Sequence, residues 1–331
     1  MQNDHRPVVH IGYPKTGTTW FQTSFYPAVT SHRYIDPRLV REALLGPNGL
    51  GFEADRARDP ILGAAAGAPP ILCDERLAGS ILAGGLHGML PPEVARRIKE
   101  VFPDARIVIG IRAQPGMLAA CYSQYVKDGG TFGVLRYLFP DSYFFPGSEY
   151  RSQAPRFDLA LFEYQRLIRF YFELFGKENV HVLLFERFRA GPLDQARSLA
   201  QALKIAFDEA RVSEAVRNPA LNRGALLVTR LFNLFTSRRA RDKWHIVHIP
   251  GLFELRKPLH RLLHRIFRRK TGSEQLLGRA TVRWIEARFA RSNRELGQLL
   301  GVDLGAFGYP VAAPATPPPS PLPRWRTLRA T

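Results

Sequence analysis

A chain of 331 residues, 45% of them hydrophobic, has room for one large domain or two small ones and an ample packed core. No stretch reaches the ~18 uninterrupted apolar residues of a membrane helix. Two cysteines, Cys73 and Cys121, form no CxxC and no zinc pattern, so a reduced cytosolic protein is the plain reading, with a disulfide between them left open. A formal net charge of +18 implies affinity for anions, but it does not choose among nucleotides, sulfated or phosphorylated molecules, anionic lipid and nucleic acid.

In chain order, residues 1–6 lead directly into a short apolar run, 8–11, that reads as a buried strand. That start leaves no room for a signal peptide ahead of the fold, which points to a cytoplasmic protein. A turn punctuated by Gly12, Pro14 and Gly17 follows, and then a short helix from Trp20 that stops near Pro27. Residues 30–69 read as loop-rich, with a helix over 36–45 and a small-residue stretch at 60–69 that makes a poor core. A second buried strand ends in Asp74-Glu75-Arg76, and 92–102 is an amphipathic helix. A third strand, 107–111, ends in Arg112, and a helix runs from Pro115 to about Lys127, stopped by Gly129-Gly130. Residues 131–156 are aromatic and loop-like. A helix over 157–175, a fourth strand from Val180 and a helix over 192–204 come next, and 210–305 is mostly helical.

Strands separated by helical crossovers predict an α/β fold: a P-loop-like three-layer α/β/α arrangement around a central parallel sheet, with a helical C-terminal part. The expected domain spans 1–305. Residues 306–331, rich in Pro and Ala, read as a disordered tail. In such sheets ligands bind at the carboxyl ends of the strands, where Lys15, Glu75 and Arg112 all fall.

Strand, turn and helix at 7–20 form the layout of a phosphate-binding loop. A helix N-terminus, a cation and hydroxyls are what a phosphate needs. The order is not that of a nucleotidase loop, which closes on Gly-Lys-Ser/Thr beside Mg²⁺. Here Lys15 comes early, and Thr18-Thr19 close the loop.

Tyr13-Pro14-Lys15-Thr16-Gly17-Thr18-Thr19-Trp20 resembles the 5′-phosphosulfate loop of the sulfotransferases that use PAPS, 3′-phosphoadenosine-5′-phosphosulfate. The resemblance covers about 7–235 and is to bacterial, carbohydrate-type members. It implies that Lys15 serves the leaving phosphate and that residues Thr16, Gly17, Thr18 and Thr19 hold the 5′-phosphate. Trp20 would stack on adenine, or else pack in the core. Arg112 would bind the 3′-phosphate through its guanidinium fork.

The family places a serine eight residues after that arginine, where this chain has Ala120. Ser123 substitutes for it, or the hydroxyl contact is lost. The family's base follows strand two, and Glu75 is its candidate, with Asp74 and, more weakly, His87 behind it. The competing reading pairs Glu75 with an arginine structurally. Asn222-Arg223-Gly224 loosely resembles the late loop that covers the nucleotide, so Arg223 is a further 3′-phosphate contact or a surface arginine.

The expected activity is sulfuryl transfer from PAPS to a hydroxyl of a glycan or glycolipid, with no metal. The alternatives are a P-loop kinase or ATPase and a non-catalytic PAP-binding protein at a membrane surface. The stretch 237–270 carries eleven Lys/Arg against Asp242 and Glu254, a net of +9. It reads as a face for anionic membrane at the inner leaflet, as part of an acidic-acceptor groove, or as a basic face with no partner. No helix-turn-helix or zinc pattern accompanies it to suggest nucleic acid. Segments 30–69 and 131–156 are expected to line the acceptor site.

Overall fold

The computed structural model describes residues 4–140, 157–213, 222–236, 245–255, 258–259, 262–263, 271–312 and 321. Five strands form one parallel sheet: β1 Val8–His10, β2 Arg33–Tyr34, β3 Pro70–Cys73, β4 Arg106–Ile111 and β5 Val180–Leu184. Their spatial order is β2-β3-β1-β4-β5. Every residue of β1, β3 and β4 is buried. A parallel strand covered by helices on both faces must be apolar on both sides, which is why these strands read as continuous Val/Ile/Leu runs. Register pairs Val8 with Ile71 on one side and with Arg106 on the other, so β1 sits centrally.

One face of the sheet packs Val8, Ile71, Cys73, Val108 and Leu183 against Trp20, Phe21, Phe25, Phe188 and the helix Pro192–Leu203. Helices Pro37–Leu44, Ala54–Ala65, Leu90–Val101 and Tyr164–Phe175 complete the α/β set of this part of the chain. The helix at 37–44 matches its expectation and is capped by Asp36, whose carboxylate accepts from Arg38 N–H at 2.6 Å.

Three local readings differ from the sequence expectation. Residues 54–65 are helical although Pro60 sits inside the helix. Ala57, Ile61 and Ala65, spaced by four, are its buried stripe, so small residues serve close packing here. β2 is a two-residue edge strand, too short to leave a periodic signal. The segment 157–175 divides into a 3₁₀ turn, Leu159–Phe162, and the helix Tyr164–Phe175.

The chain forms two compact units. The first comprises 1–113, 160–217 and 295–308 and holds the sheet; the second comprises 114–159, 218–294 and 309–331, and its regular elements among the described residues are helices. In the second, Asn233 Nδ2 donates to the carbonyls of Val126 and Gly130 at 2.8 and 2.9 Å, tying the end of helix Arg223–Phe232 to helix Gln114–Lys127. Gln114 and Asn293 exchange buried amide hydrogen bonds.

Residues 306–312, grouped with the tail by composition, are ordered: Tyr309 is buried, and Asn293 Nδ2 donates to the Pro310 carbonyl at 2.9 Å. The rest of the tail apart from position 321, residues 141–156, and all eleven Lys/Arg of 237–270 lie outside the described residues. Cys73 and Cys121 are buried and are not joined in a disulfide. Among the described residues, no helix is long and apolar enough to cross a membrane.

Candidate active site at the carboxyl ends of the central strands

The first unit brings three strand ends together. β1 is flanked by β3 and β4, so the loop after His10 lies between the loops that begin at Asp74 and at Arg112. The chain leaves β1 still bonded to its neighbours: Ile11 N–H donates to the Val108 carbonyl at 3.0 Å, Tyr13 N–H to Gly110 at 2.9 Å, and Asp74 N–H to His10 at 3.3 Å.

The loop's shape is forced at several points. Gly12 has φ +53° and Gly17 φ +93°; a Cβ at Gly17 would lie 2.7 Å from the Phe188 ring. A Cβ at Gly110, the one glycine of β4, would lie 2.7 Å from Thr16 Oγ1, so this strand glycine is the opening that seats the threonine. Thr16 in turn donates to the Tyr13 carbonyl. Lys15 itself is in the left-handed region at φ 68°, a conformation that costs a non-glycine residue about 1–3 kcal/mol and recurs at ligand sites.

Beyond Gly17 the chain turns helical at Thr18–Trp20, leaving the first N–H groups without intrahelical acceptors. Thr18 Oγ1 is buried with no hydrogen-bond partner among the described residues. An orphaned buried hydroxyl in a glycine-bent loop beside a lysine suits an anionic ligand.

On the β3 side two adjacent carboxylates have different surroundings. Asp74 is buried, ion-paired to Arg41 Nη1 at 2.6 Å, and caps the 3₁₀ turn Glu75–Ala78 by accepting from Arg76 N–H at 2.8 Å. Those bonds commit it to structure. Glu75 is half-buried at the first position of the turn, one residue beyond the strand-end bond. On the β4 side, Arg112 is half-buried. Its guanidinium lies 4.4 Å from the Phe185 ring centroid, and Nη1 donates to the Lys15 carbonyl at 3.4 Å. Its own carbonyl accepts from Tyr164 OH at 2.7 Å. The arginine head is therefore held at the base of the loop by stacking and hydrogen bonding.

Trp20 is 4% exposed. Its indole N–H donates to the Ser213 carbonyl at 2.7 Å, and its ring packs among Phe21, Phe25 and Phe188. These surroundings match the core-packing reading of that residue. In the second unit, the buried Ser123 hydroxyl donates to Ala119 one turn back at 2.9 Å. Arg223 is exposed at the start of its helix and its backbone N–H donates to Thr271 Oγ1 at 3.1 Å. His87 lies in a Gly-rich turn with φ 57°.

Sequence reasoning missed His10. It is 1% exposed at the end of β1, its Nδ1 lies 2.8 Å from Tyr26 OH, and burial lowers its pKa to about 3, so it is a neutral imidazole beneath the loop. A histidine closing an apolar run was the available signal. Tyr13 was also missed as a brace: its hydroxyl donates to the Leu161 carbonyl at 3.0 Å and its ring meets Tyr164 edge-on. Among the described residues, no group of three or more His, Cys, Asp and Glu side chains is placed to hold a metal ion.

A central parallel sheet between helices, with a glycine-bent loop after the middle strand, defines the class of fold. No family model matches the chain, and no curated protein matches it by sequence. Among solved structures it is similar to the crystal structure of a sulfotransferase from Alicyclobacillus acidocaldarius. The TM-score is 0.52 and the identity 18%, over 92% of this chain and 99% of that one. That likeness is one of fold, and the fold is the three-layer α/β/α arrangement expected from the sequence.

Proposed function

We propose that the chain is a sulfotransferase that moves the sulfuryl group of PAPS to a hydroxyl of a carbohydrate or glycolipid. The observation that carries this reading is the placement of Lys15 in a glycine-bent loop after the central strand, with Glu75 and Arg112 at the ends of the two flanking strands.

The loop fits the donor's phosphates: Thr18 Oγ1 is a buried hydroxyl without a partner among the described residues, and Gly12 and Gly17 take the positive φ that bends the loop. When bound, PAPS supplies an SO₃ group on a phosphate leaving group. Thr16, Gly17, Thr18 and Thr19 hold the 5′-phosphate. The Lys15 ammonium offsets the negative charge that grows on the leaving oxygen. Arg112 takes the 3′-phosphate with its planar fork, already steadied on Phe185. Glu75 accepts the proton of the acceptor hydroxyl. Trp20 supports the loop from the core, and removal of the Ser123 or Arg223 side chain should cost little.

Incubation with ³⁵S-labelled PAPS and pooled glycan and glycolipid acceptors tests this. Label should pass to an acceptor with wild-type protein and fail to pass with Glu75→Gln, while PAP binding stays nearly intact. Binding of PAP without transfer to any acceptor would favour a PAP-binding protein. Unchanged transfer by Glu75→Gln would remove Glu75 from its role.

A further inference from the structure

The second unit exposes an apolar surface that its own packing does not use. Helix Arg223–Phe232 is apolar on two sides. Ala225, Leu226 and Thr229 are buried, with Asn233 continuing that row. Leu227, Val228 and Leu231 are 50%, 38% and 52% exposed, and Phe235 continues theirs. Both rows follow the i, i+1, i+4, i+8 spacing of a single helix face.

The chain then adds to the exposed row. Ile246 N–H donates to the Leu234 carbonyl at 2.7 Å and Ile249 N–H to Phe235 at 3.1 Å, so 246–249 is fastened to the end of the helix. Ile246, Val247 and Ile249 are themselves exposed, at 73%, 48% and 45%. Leu255 and Leu262 are exposed beyond them, while Phe253 and Leu263 are buried. Large aliphatic side chains exposed together in this way mark an interaction surface.

Sequence chemistry selects the partner. The adjoining stretch, 237–270, holds eleven Lys/Arg and two acidic residues, and in sequence these flank Trp244, Ile246, Val247, Ile249, Leu255 and Leu262. Large aliphatic and aromatic residues among cations, almost without carboxylates, are what an anionic lipid surface binds: apolar groups enter the acyl boundary and cations meet the headgroups. Two copies of a chain with a formal net charge of +18 repel each other, which disfavours a second copy as the partner.

We infer that the face carrying Leu227, Val228, Leu231, Ile246, Val247 and Ile249 docks on an anionic bilayer and lies on the membrane without crossing it. This does not depend on sulfuryl transfer, and its test needs no substrate.

The full chain is sedimented with vesicles of phosphatidylcholine alone and of phosphatidylcholine with about one third phosphatidylserine. Binding to the anionic vesicles should exceed binding to the neutral ones at least tenfold and should fall several-fold as salt rises from about 0.1 to 0.5 M. The variant carrying Leu227→Asp and Leu231→Asp should bind the anionic vesicles at least tenfold more weakly. Ile246→Ser with Ile249→Ser, a milder change on the adjoining segment, should lower binding in the same direction. Circular dichroism and the melting temperature confirm that each variant is folded.

Three results would overturn the inference: no binding to anionic vesicles, vesicle binding unaffected by both apolar variants, or a dimer in analytical ultracentrifugation that Leu227→Asp with Leu231→Asp dissolves while vesicle binding is absent. Tight binding to a DNA duplex in place of vesicles would assign the charge to nucleic acid and also overturn it.

Discussion

The loop after β1 and the pair Ser123 and Arg223 contrast as candidate residues. In the loop the surroundings dictate nearly every position. Gly17 faces Phe188, Gly110 leaves room for Thr16, Lys15 holds a left-handed backbone, and Thr18 keeps a buried hydroxyl unspent among the described residues. Ser123 instead gives its hydroxyl to the carbonyl one turn back on its own helix, and Arg223 starts a helix with its side chain exposed. Strain and unspent hydrogen-bonding capacity are features that recur at ligand sites in general, whereas a hydroxyl satisfied by its own helix has less left to offer.

This contrast can be broken or sharpened by substitution. The largest effect is expected from Lys15→Ala, which should lower turnover about a hundred- to a thousandfold, the range for losing a charge-stabilising donor. Single-turnover transfer from labelled PAPS measures it, and a loss confined to donor affinity would make the loop a binding element only. Arg112→Ala should weaken PAP about ten- to a hundredfold, the worth of a charge-assisted hydrogen bond at a part-buried site. Its affinity for a nucleotide lacking the 3′-phosphate should be nearly unchanged, and isothermal titration with both nucleotides checks that difference. An equal loss for both would place Arg112 elsewhere on the donor.

A middle-sized effect concerns the floor of the loop. Burial holds His10 at a pKa of about 3, far below the ordinary histidine value of 6.5. The unfolded chain binds this proton first, so stability is lost as pH falls below about 6.5 toward 3, by about 1 kcal/mol per pH unit from this group. His181, lowered to about 4 by burial and by Arg106 and Arg6, contributes with the same sign. Urea unfolding at pH 7 and pH 5 should show the wild type losing stability on acidification, and His10→Asn should flatten that slope. An equal slope in the variant would show that His10 does not titrate this way. Ser123→Ala should be the smallest change, within about threefold in PAP affinity, and a tenfold loss would move it into the site.

Much of this was readable from residues near one another. The loop's Gly, Pro, Lys and Thr fall in one short window, and doubly buried strands announce themselves as apolar runs. What escaped was non-local. Asp74 and Glu75 look equivalent in sequence, and the ion pair that Asp74 makes with Arg41, 33 positions earlier, cannot be read there. Trp20 reads as a stacking platform or as a core residue, and the acceptor of its N–H, Ser213, lies 193 positions away. Gly110 in an apolar strand was a visible oddity whose cause, Thr16, lies in another loop. The helix at 54–65 was hidden because Pro60 and Gly63 lower local helix propensity while burial of Ile61 decides the outcome.

The central claim is that the Lys15 loop binds a phosphosulfate nucleotide. Thermal unfolding of the wild-type chain with PAP, and separately with ATP and Mg²⁺, tests it most directly. The account predicts a clear rise in melting temperature with PAP that Arg112→Ala diminishes, and little response to ATP with Mg²⁺. A rise with ATP and Mg²⁺, and none with PAP or PAPS, would contradict it and make the loop that of a phosphoryl-transfer enzyme.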